Sequence, residues 1–294
     1  MTRRFPGRRF PGRGDLAAAC LFLLPALLAV FAMRLWPSAL AVVSALNMSE
    51  TGFRLGLGNF AFLFTDPEFL GALETTLLFS VLVNPIQIAL ALGLALLLNR
   101  DLPGGGLWRT LLLLPAAVPQ SVSAVIWGVA MRPDGPLNGA LRLLHLPAQP
   151  FLTSSFQALP AIILIASWVG VGYWMTFLIA GLKDIPVSLY EAAAIDGASP
   201  WQRFRHITLP GLRRPLTFVL VADTVANVLL FAPVQILTKG GPQGTTNLVM
   251  NDIYTRAFVA DDPSGAAAAT VVLVAVVLVV VGLQFRLMLE RDAR

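Results

Sequence analysis

Charge is scarce in this chain: of its 294 residues only 13% are Asp, Glu, Lys or Arg, about half the ~25% usual in soluble domains. One cysteine, Cys20, excludes an internal disulfide and any C-x-x-C metal or redox pair. Two histidines, His145 and His206, lie far apart and leave a metal centre or a His-based triad without residues. No G-x-x-x-x-G-K-[ST] occurs, so the chain has no loop to cradle ATP phosphates. H-E-x-x-H and G-x-S-x-G are also absent, and an embedded protease or lipid hydrolase would lack its nucleophile–base pair. What the chain has is apolar surface. Its hydrophobic fraction is 56% and its mean hydropathy is +0.75. So few charges cannot clothe so much apolar surface in water, which leaves an integral membrane protein. The net charge of +5 then reads as basic residues retained on the cytoplasmic face, not as a nucleic-acid footprint.

Six apolar stretches are expected as helical spans, near 16–36, 73–98, 109–130, 159–182, 216–238 and 267–287. Each has about 20 residues, enough to cross ~30 Å of hydrocarbon, and a helix is required because lipid offers the backbone no partners. With both termini in the cytoplasm, 15 of the 21 Lys and Arg residues fall inside, which sets the expected orientation. The first apolar run exceeds the ~7–15 residues of a signal-peptide core and reads as a retained span. Residues 1–15 carry RRFPGR twice, sharing Arg8, and read as a basic cytoplasmic arm facing membrane lipid. Residues 16–294 form one transmembrane domain.

The segment 183–215 differs from the rest. Pro186 can open a short helix, Glu191-Ala192-Ala193-Ala194 favours it, and Gly197 can take positive φ and stop it. Ser199 with Gln202 has the spacing of a capping box around Pro200, and Pro210 is expected to end the second helix. A loop this structured suits docking into a partner's groove.

This loop also resembles the EAA loop of ABC importer permeases, with Glu191-Ala192-Ala193, Gly197, Ile207, Leu209 and Pro210 at the pattern's positions. The extended run Tyr190 to Ala198, which includes Asp196, is similar to the carbohydrate-uptake branch. So are Asn99-Arg100 through Leu107-Trp108-Arg109-Thr110 and Leu114-Pro115. Leu237 to Pro242, followed by Thr245-Thr246, resembles the permease type that serves maltose and glycerol-3-phosphate uptake, although that type usually has Ala where Thr245 stands.

The resemblance implies an all-α, polytopic membrane protein with six transmembrane helices and the ABC type I importer permease fold, in the bacterial inner membrane. It implies a non-catalytic subunit that pairs with a second permease, an ABC ATPase dimer and an extracytoplasmic substrate-binding protein. The chain itself would hold no cofactor; ATP and Mg would sit on the ATPase. Glu191 through Gly197 would form a coupling helix seated in the ATPase. The implied substrate is a sugar or oligosaccharide first, and glycerol-3-phosphate or a glycerophosphodiester such as glycerophosphocholine second. A channel, the remaining rival, would need no such loop.

Polar groups inside spans mark candidate substrate contacts. Asp223 is the one acid well inside a span, and Asn227 follows on the same helical face. The preceding span offers Gly170 for room and Tyr173 and Trp174 to stack on a sugar or enclose a cation. These two spans flank the EAA loop, and the resemblance places Gly170, Tyr173, Asp223 and Asn227 near the sugar. Helix–helix adhesion remains open for Asp223, as does simple packing for the aromatics. A bare phosphate anion is disfavoured beside Asp223. Asn84, Pro85 and Gln87 in span two, and Pro115, Pro119 and Gln120 in span three, suggest either flexible kinks or fixed geometry.

Overall fold

The computed structural model describes residues 13–48, 54–100 and 103–289. Residues 1–12 of the expected basic arm therefore lie outside the described residues. Among the described residues the regular structure is helical. In chain order the helices are α1 Arg13–Val30, α2 Trp36–Leu46, α3 Gly58–Leu63, α4 Pro67–Leu98, α5 Gly105–Leu113, α6 Gln120–Ala130, α7 Pro136–Leu143 and α8 Ala158–Lys183. There follow α9 Val187–Ile195, α10 Pro200–Arg203, α11 Leu209–Gly211, α12 Arg213–Val228, α13 Ala232–Leu237, α14 Val249–Phe258 and α15 Pro263–Leu289.

Among the described residues, five helical stretches are long and apolar enough to cross a bilayer: Cys20–Leu46, Pro67–Leu98, Ala158–Lys183, Arg213–Leu237 and Pro263–Met288. The first runs from α1 through a π turn at Phe31–Leu35 into α2, so it reaches ten residues beyond the expected end at 36. Most of its side chains are exposed (Phe22 83%, Met33 79%), and Ala45 near its end is buried against α15. Such a lipid-compatible surface has no cost in a bilayer.

The stretch expected as one span over 109–130 is instead a broken pair, α5 with a 3-10 turn at Leu114–Ala117, then α6, bent by 98°. The cause is steric. Pro119 pushes the residue before it out of the helical region, and Val118 is extended at ψ 128. Two prolines in five residues also remove two amide donors. The prolines therefore turn the chain, and α5 and α6 cannot be one flexing rod. Counted as one span, the pair makes six. A gentler interruption divides α12 from α13 at Leu229–Phe231, where Pro233 in the next first turn leaves a carbonyl without its donor.

The centre of the bundle is α8, which packs on α4 and α12. At one end Ala91, Ala95, Met175, Leu178, Leu212 and Val219 form one apolar cluster. At the other, Phe79, Val83, Ile162, Leu230, Val234 and Leu248 form a second. A third ties α2, α3, α4, α14 and α15 through Ala45, Leu63, Phe69, Val249 and Ala268.

One ion cluster closes the end opposite the loop. Arg256 on α14 bonds Asp252 one turn back (Nε to Oδ2, 2.8 Å) and Asp66, the cap of α4. Its other nitrogen lies 3.9 Å from Asp262, which in turn accepts the Gly265 amide at the start of α15. Arg256 therefore staples the ends of two spans separated by almost two hundred residues. Burial alone would raise the Asp66 carboxyl, but the Arg256 hydrogen bond, the Glu68 amide and the Arg256 charge hold it below its ordinary 3.8. Burial raises Asp252 despite its own bond to Arg256.

Arg256→Met leaves these acids without their cation and should cost about 3 kcal/mol, the scale of breaking a buried pair; thermal unfolding of the detergent-solubilised protein reads it. The depressed Asp66 carboxyl contributes stability above about pH 3.8 that is lost as pH falls through its folded value. The stability difference between wild type and Asp66→Asn should therefore shrink as pH drops below 3.8; a constant difference would contradict the assignment.

Candidate functional site

A cavity of about 290 Å³ opens among α4, α6, α8 and α12. Its lining includes Gln87 from α4, Gln120 and Ser123 from α6, Gly170, Tyr173 and Trp174 from α8, and Asp223 and Asn227 from α12. All five residues singled out in the two central spans thus meet at one cavity. Glycine at 170 makes room as expected: a Cβ there would lie 2.9 Å from the Gln87 side-chain oxygen.

The polar groups around the cavity hold one another. Trp174 Nε1 donates to Asp223 Oδ1 at 2.6 Å, and Asn227 Nδ2 lies 3.0 Å from the same oxygen. Asn227 Nδ2 also lies 2.8 Å from Asn84 Oδ1 and 3.3 Å from Gln87 Oε1. Asn84 donates to Thr224 Oγ1 at 2.8 Å, and Gln284 of α15 donates to the same hydroxyl at 2.8 Å. The network spans α4, α8, α12 and α15. Trp174 is 7% exposed and packs in the core, the packing alternative that the sequence left open, and its indole N–H orients the carboxylate. Tyr173 is 44% exposed and sets its ring edge-on against Trp174 at 4.8 Å.

Three buried polar atoms on the lining have no partner among the described residues: Gln87 Nε2, Ser123 Oγ and Asp223 Oδ2. Buried polar atoms rarely stay unpaired without a water, ion or ligand. Ser123 has no counterpart in the sequence reading, because a lone serine in an apolar run signals nothing. Gln87 and Gln120 were visible as polar breaks, but the sequence did not bring them to this cavity.

The loop after α8 is two short helices at a bend. α9 starts after Pro186, which caps it from outside instead of occupying its first turn. Gly197 sits at φ 77, the left-handed region where a side chain is costly. Ser199 and Gln202 form the capping box, with Ser199 N donating to Gln202 Oε1 at 2.7 Å and Gln202 N to Ser199 Oγ at 3.3 Å. Pro210 does not end the second helix. The chain widens into a π turn at Phe204–Thr208, which accommodates the missing amide donor, and continues as α11 to Gly211.

Glu191, Ala192, Asp196, Gly197, Leu209 and Pro210 are exposed, Ala193 and Ile207 half-buried. No residue of α9 is buried. Its back is nevertheless anchored: Tyr190 Oη lies 2.9 Å from Thr208 Oγ1, and Tyr190 and Ile207 pack on the cluster at the end of α4, α8 and α12. The loop is thus a stiff element with an unpartnered outer face, at the opposite end of α8 from the Arg256 cluster.

Spans packed around a cavity into which a few polar side chains converge, with a rigid exposed loop joining two of the lining helices, have the build of a transport permease. Residues 87–294 match the model of the family described as binding-protein-dependent transport system inner membrane component, and the chain belongs to that family, a multi-pass inner-membrane transport component. It is 33% identical to the sn-glycerol-3-phosphate transport system permease protein UgpA of Agrobacterium fabrum, over 92% of this chain and 94% of that one. It is 35% identical to the lactose transport system permease protein LacF of Rhizobium radiobacter, over 92% and 94%. The fold matches a crystal structure of a bacterial ABC transporter involved in import of the acidic polysaccharide alginate, with TM-score 0.84, 23% identity, and 95% and 96% of the two chains covered. A second structure of an alginate transporter, in complex with a periplasmic protein bound to an alginate pentasaccharide, matches at TM-score 0.81 and 24% identity over 92% and 93%.

Asn84→Leu removes the link between α4 and α12 and should cost about 1 kcal/mol, the scale of interhelical hydrogen bonds in membranes. A lowered thermal midpoint of the purified protein is the expected result; an unchanged one would show that the network does not hold the bundle.

Proposed function

We propose that this chain is the permease subunit of an ATP-driven ABC importer for a sugar or oligosaccharide. It forms half of the pathway beside a homologous permease, in the inner membrane with both termini cytoplasmic. An ATPase dimer below supplies the energy, with ATP and Mg on that partner, and an external binding protein delivers the substrate. The observation that carries this reading is the union of cavity and loop on the same two helices. α8 and α12 line the cavity with Gly170, Tyr173, Trp174, Asp223 and Asn227, and the loop between them presents Glu191 through Gly197 outward.

Work is transmitted in this account by rigid-body displacement. ATPase closure moves α9. The Tyr190–Thr208 bond and the packing of Ile207 carry that movement to the ends of α8 and α12. The helices tilt, and the cavity between them exchanges its open side. The exposed Leu189 and Ile195, the small Ala192 and Ala193, and the carboxylates of Glu191 and Asp196 suit a groove with apolar floor and basic rim. Ile207 packs the second segment of the lever on the bundle, while Leu209 and Pro210 stay exposed beside it. The UgpA relatives favour a second substrate class, glycerol-3-phosphate or a glycerophosphodiester.

Uptake and ATP hydrolysis by membrane vesicles carrying the full assembly test the proposal. Glu191→Lys and Gly197→Pro should lower uptake at least tenfold while the permease stays in the membrane; normal uptake in both would defeat the coupling role. Asp223→Ala should raise the apparent KM of uptake about tenfold with the ATPase still bound. An unchanged KM and rate would remove Asp223 from the pathway.

A further inference from the structure

We infer that the pocket between the end of α4 and the second helix of the loop binds a phosphate ester carried on an apolar group, an anionic phospholipid of the cytoplasmic leaflet. The inference takes from the proposed function only the cytoplasmic placement of the loop and does not involve the substrate cavity.

This pocket has a volume of about 740 Å³ and shares no lining residue with the cavity. Leu96 near the end of α4 and the rings of Trp201 and Phe204 form its apolar walls. Its charged residues are Arg100 and Arg203, and no Asp or Glu lines it. A third guanidinium, Arg109, bonds the Leu98 carbonyl one residue before Asn99, whose amide is also on the lining. Among the described residues neither Arg100 nor Arg203 has a carboxylate within ion-pair distance. The exposed acids Asp184 and Glu191 lie outside the lining.

Arg203 separates a built site from a loose basic patch. An arginine that only reaches for water keeps its N–H groups hydrated. Arg203 Nε is buried and has no hydrogen-bond partner among the described residues. Such a donor calls for an acceptor, and a phosphate oxygen matches both the charge and the fork of the guanidinium. Arg100, exposed at the rim, adds a second positive charge. Trp201 is 65% exposed and its ring lies 5.4 Å from that of Phe204, and amphipathic rings of this kind favour the depth of lipid headgroups. The exposed Leu97 and Leu90 continue the apolar surface of α4 away from the loop, where acyl chains would lie. A small soluble phosphate ester would satisfy the arginines and leave these apolar groups bare. Basic pockets at the cytoplasmic ends of spans hold anionic lipid headgroups in other membrane proteins.

The test is lipid retention by the complex purified with its partner chains, read by native mass spectrometry from mixed micelles. The probes are phosphatidylglycerol, phosphatidylcholine (the same phosphate beside a cancelling cation) and free glycerol-3-phosphate. The wild type should hold phosphatidylglycerol at least tenfold more tightly than phosphatidylcholine, and free glycerol-3-phosphate should not displace it. Arg100→Gln combined with Arg203→Gln should contract that preference about fivefold or more with the ATPase still bound. Arg203→Lys, which keeps the charge, should retain most of it. Equal retention of the two lipids overturns the inference, as does a preference that the double substitution leaves unchanged. Displacement by free glycerol-3-phosphate assigns the pocket to a soluble anion and overturns it too. Loss of the ATPase in step with the arginines assigns them to that partner and has the same consequence. Lipid retention is read without uptake, so the site and the transport reading can fail separately.

Discussion

A polar group buried in hydrocarbon must find a partner within the protein, and that requirement organises this bundle. Asn84, Asp223, Thr224, Asn227 and Gln284 come from three separate spans and are largely spent on one another. Their mutual satisfaction fixes the rotation of α4 and α12 about their axes, because a turn of either helix would strand an amide in lipid. Apolar packing alone could not do this, since lipid tails compete with Leu and Val on nearly equal terms. The groups left over, on Gln87, Ser123 and Asp223, are then concentrated on one cavity.

The same two helices that define the cavity continue into the loop, and the join is stiff. Ile185, Leu212 and Leu216 are buried with Leu178 and Leu182 in one cluster. Arg213 at the start of α12 bonds the Met288 carbonyl near the end of α15, and Arg109 on α5 bonds the Leu98 carbonyl at the end of α4. Positive side chains on helix C-terminal carbonyls also satisfy the dipole there. At the far end, Arg256 locks α4 and α15 through Asp66 and Asp262. A bundle tied at both ends and through its middle moves as a few rigid pieces, which is what the proposed lever requires.

Local chemistry was legible in the sequence, and long-range geometry was not. Gly197 and the Ser199–Gln202 box could be read because each motif is completed within four residues. Asp223 and Asn227 could be placed on one face because helical periodicity fixes it. For Trp174 stacking and packing were both open, and nothing in the sequence says that its N–H meets a carboxylate 49 residues away. The Arg256 cluster, closed across 190 residues, left no local trace. The break between α5 and α6 had a visible cause in Pro115 and Pro119, but the apolar run concealed it, because hydropathy counts residues and is blind to direction. Pro210 misled in the opposite sense, since a π turn absorbed it.

The central claim is that the cavity among α4, α8 and α12 is a water-exposed pathway whose open side is set by nucleotide. The exposed Cys20 is the single native thiol, so Cys20→Ser gives a background in which Ala226→Cys, on the cavity lining, reports alone. Labelling of that thiol by a membrane-impermeant maleimide, applied from each side of oriented vesicles carrying the full assembly, is the most direct measurement. The account predicts labelling from one side without nucleotide and from the other when the ATPases are trapped closed. Labelling from neither side in both states, or from the same side in both, would contradict it.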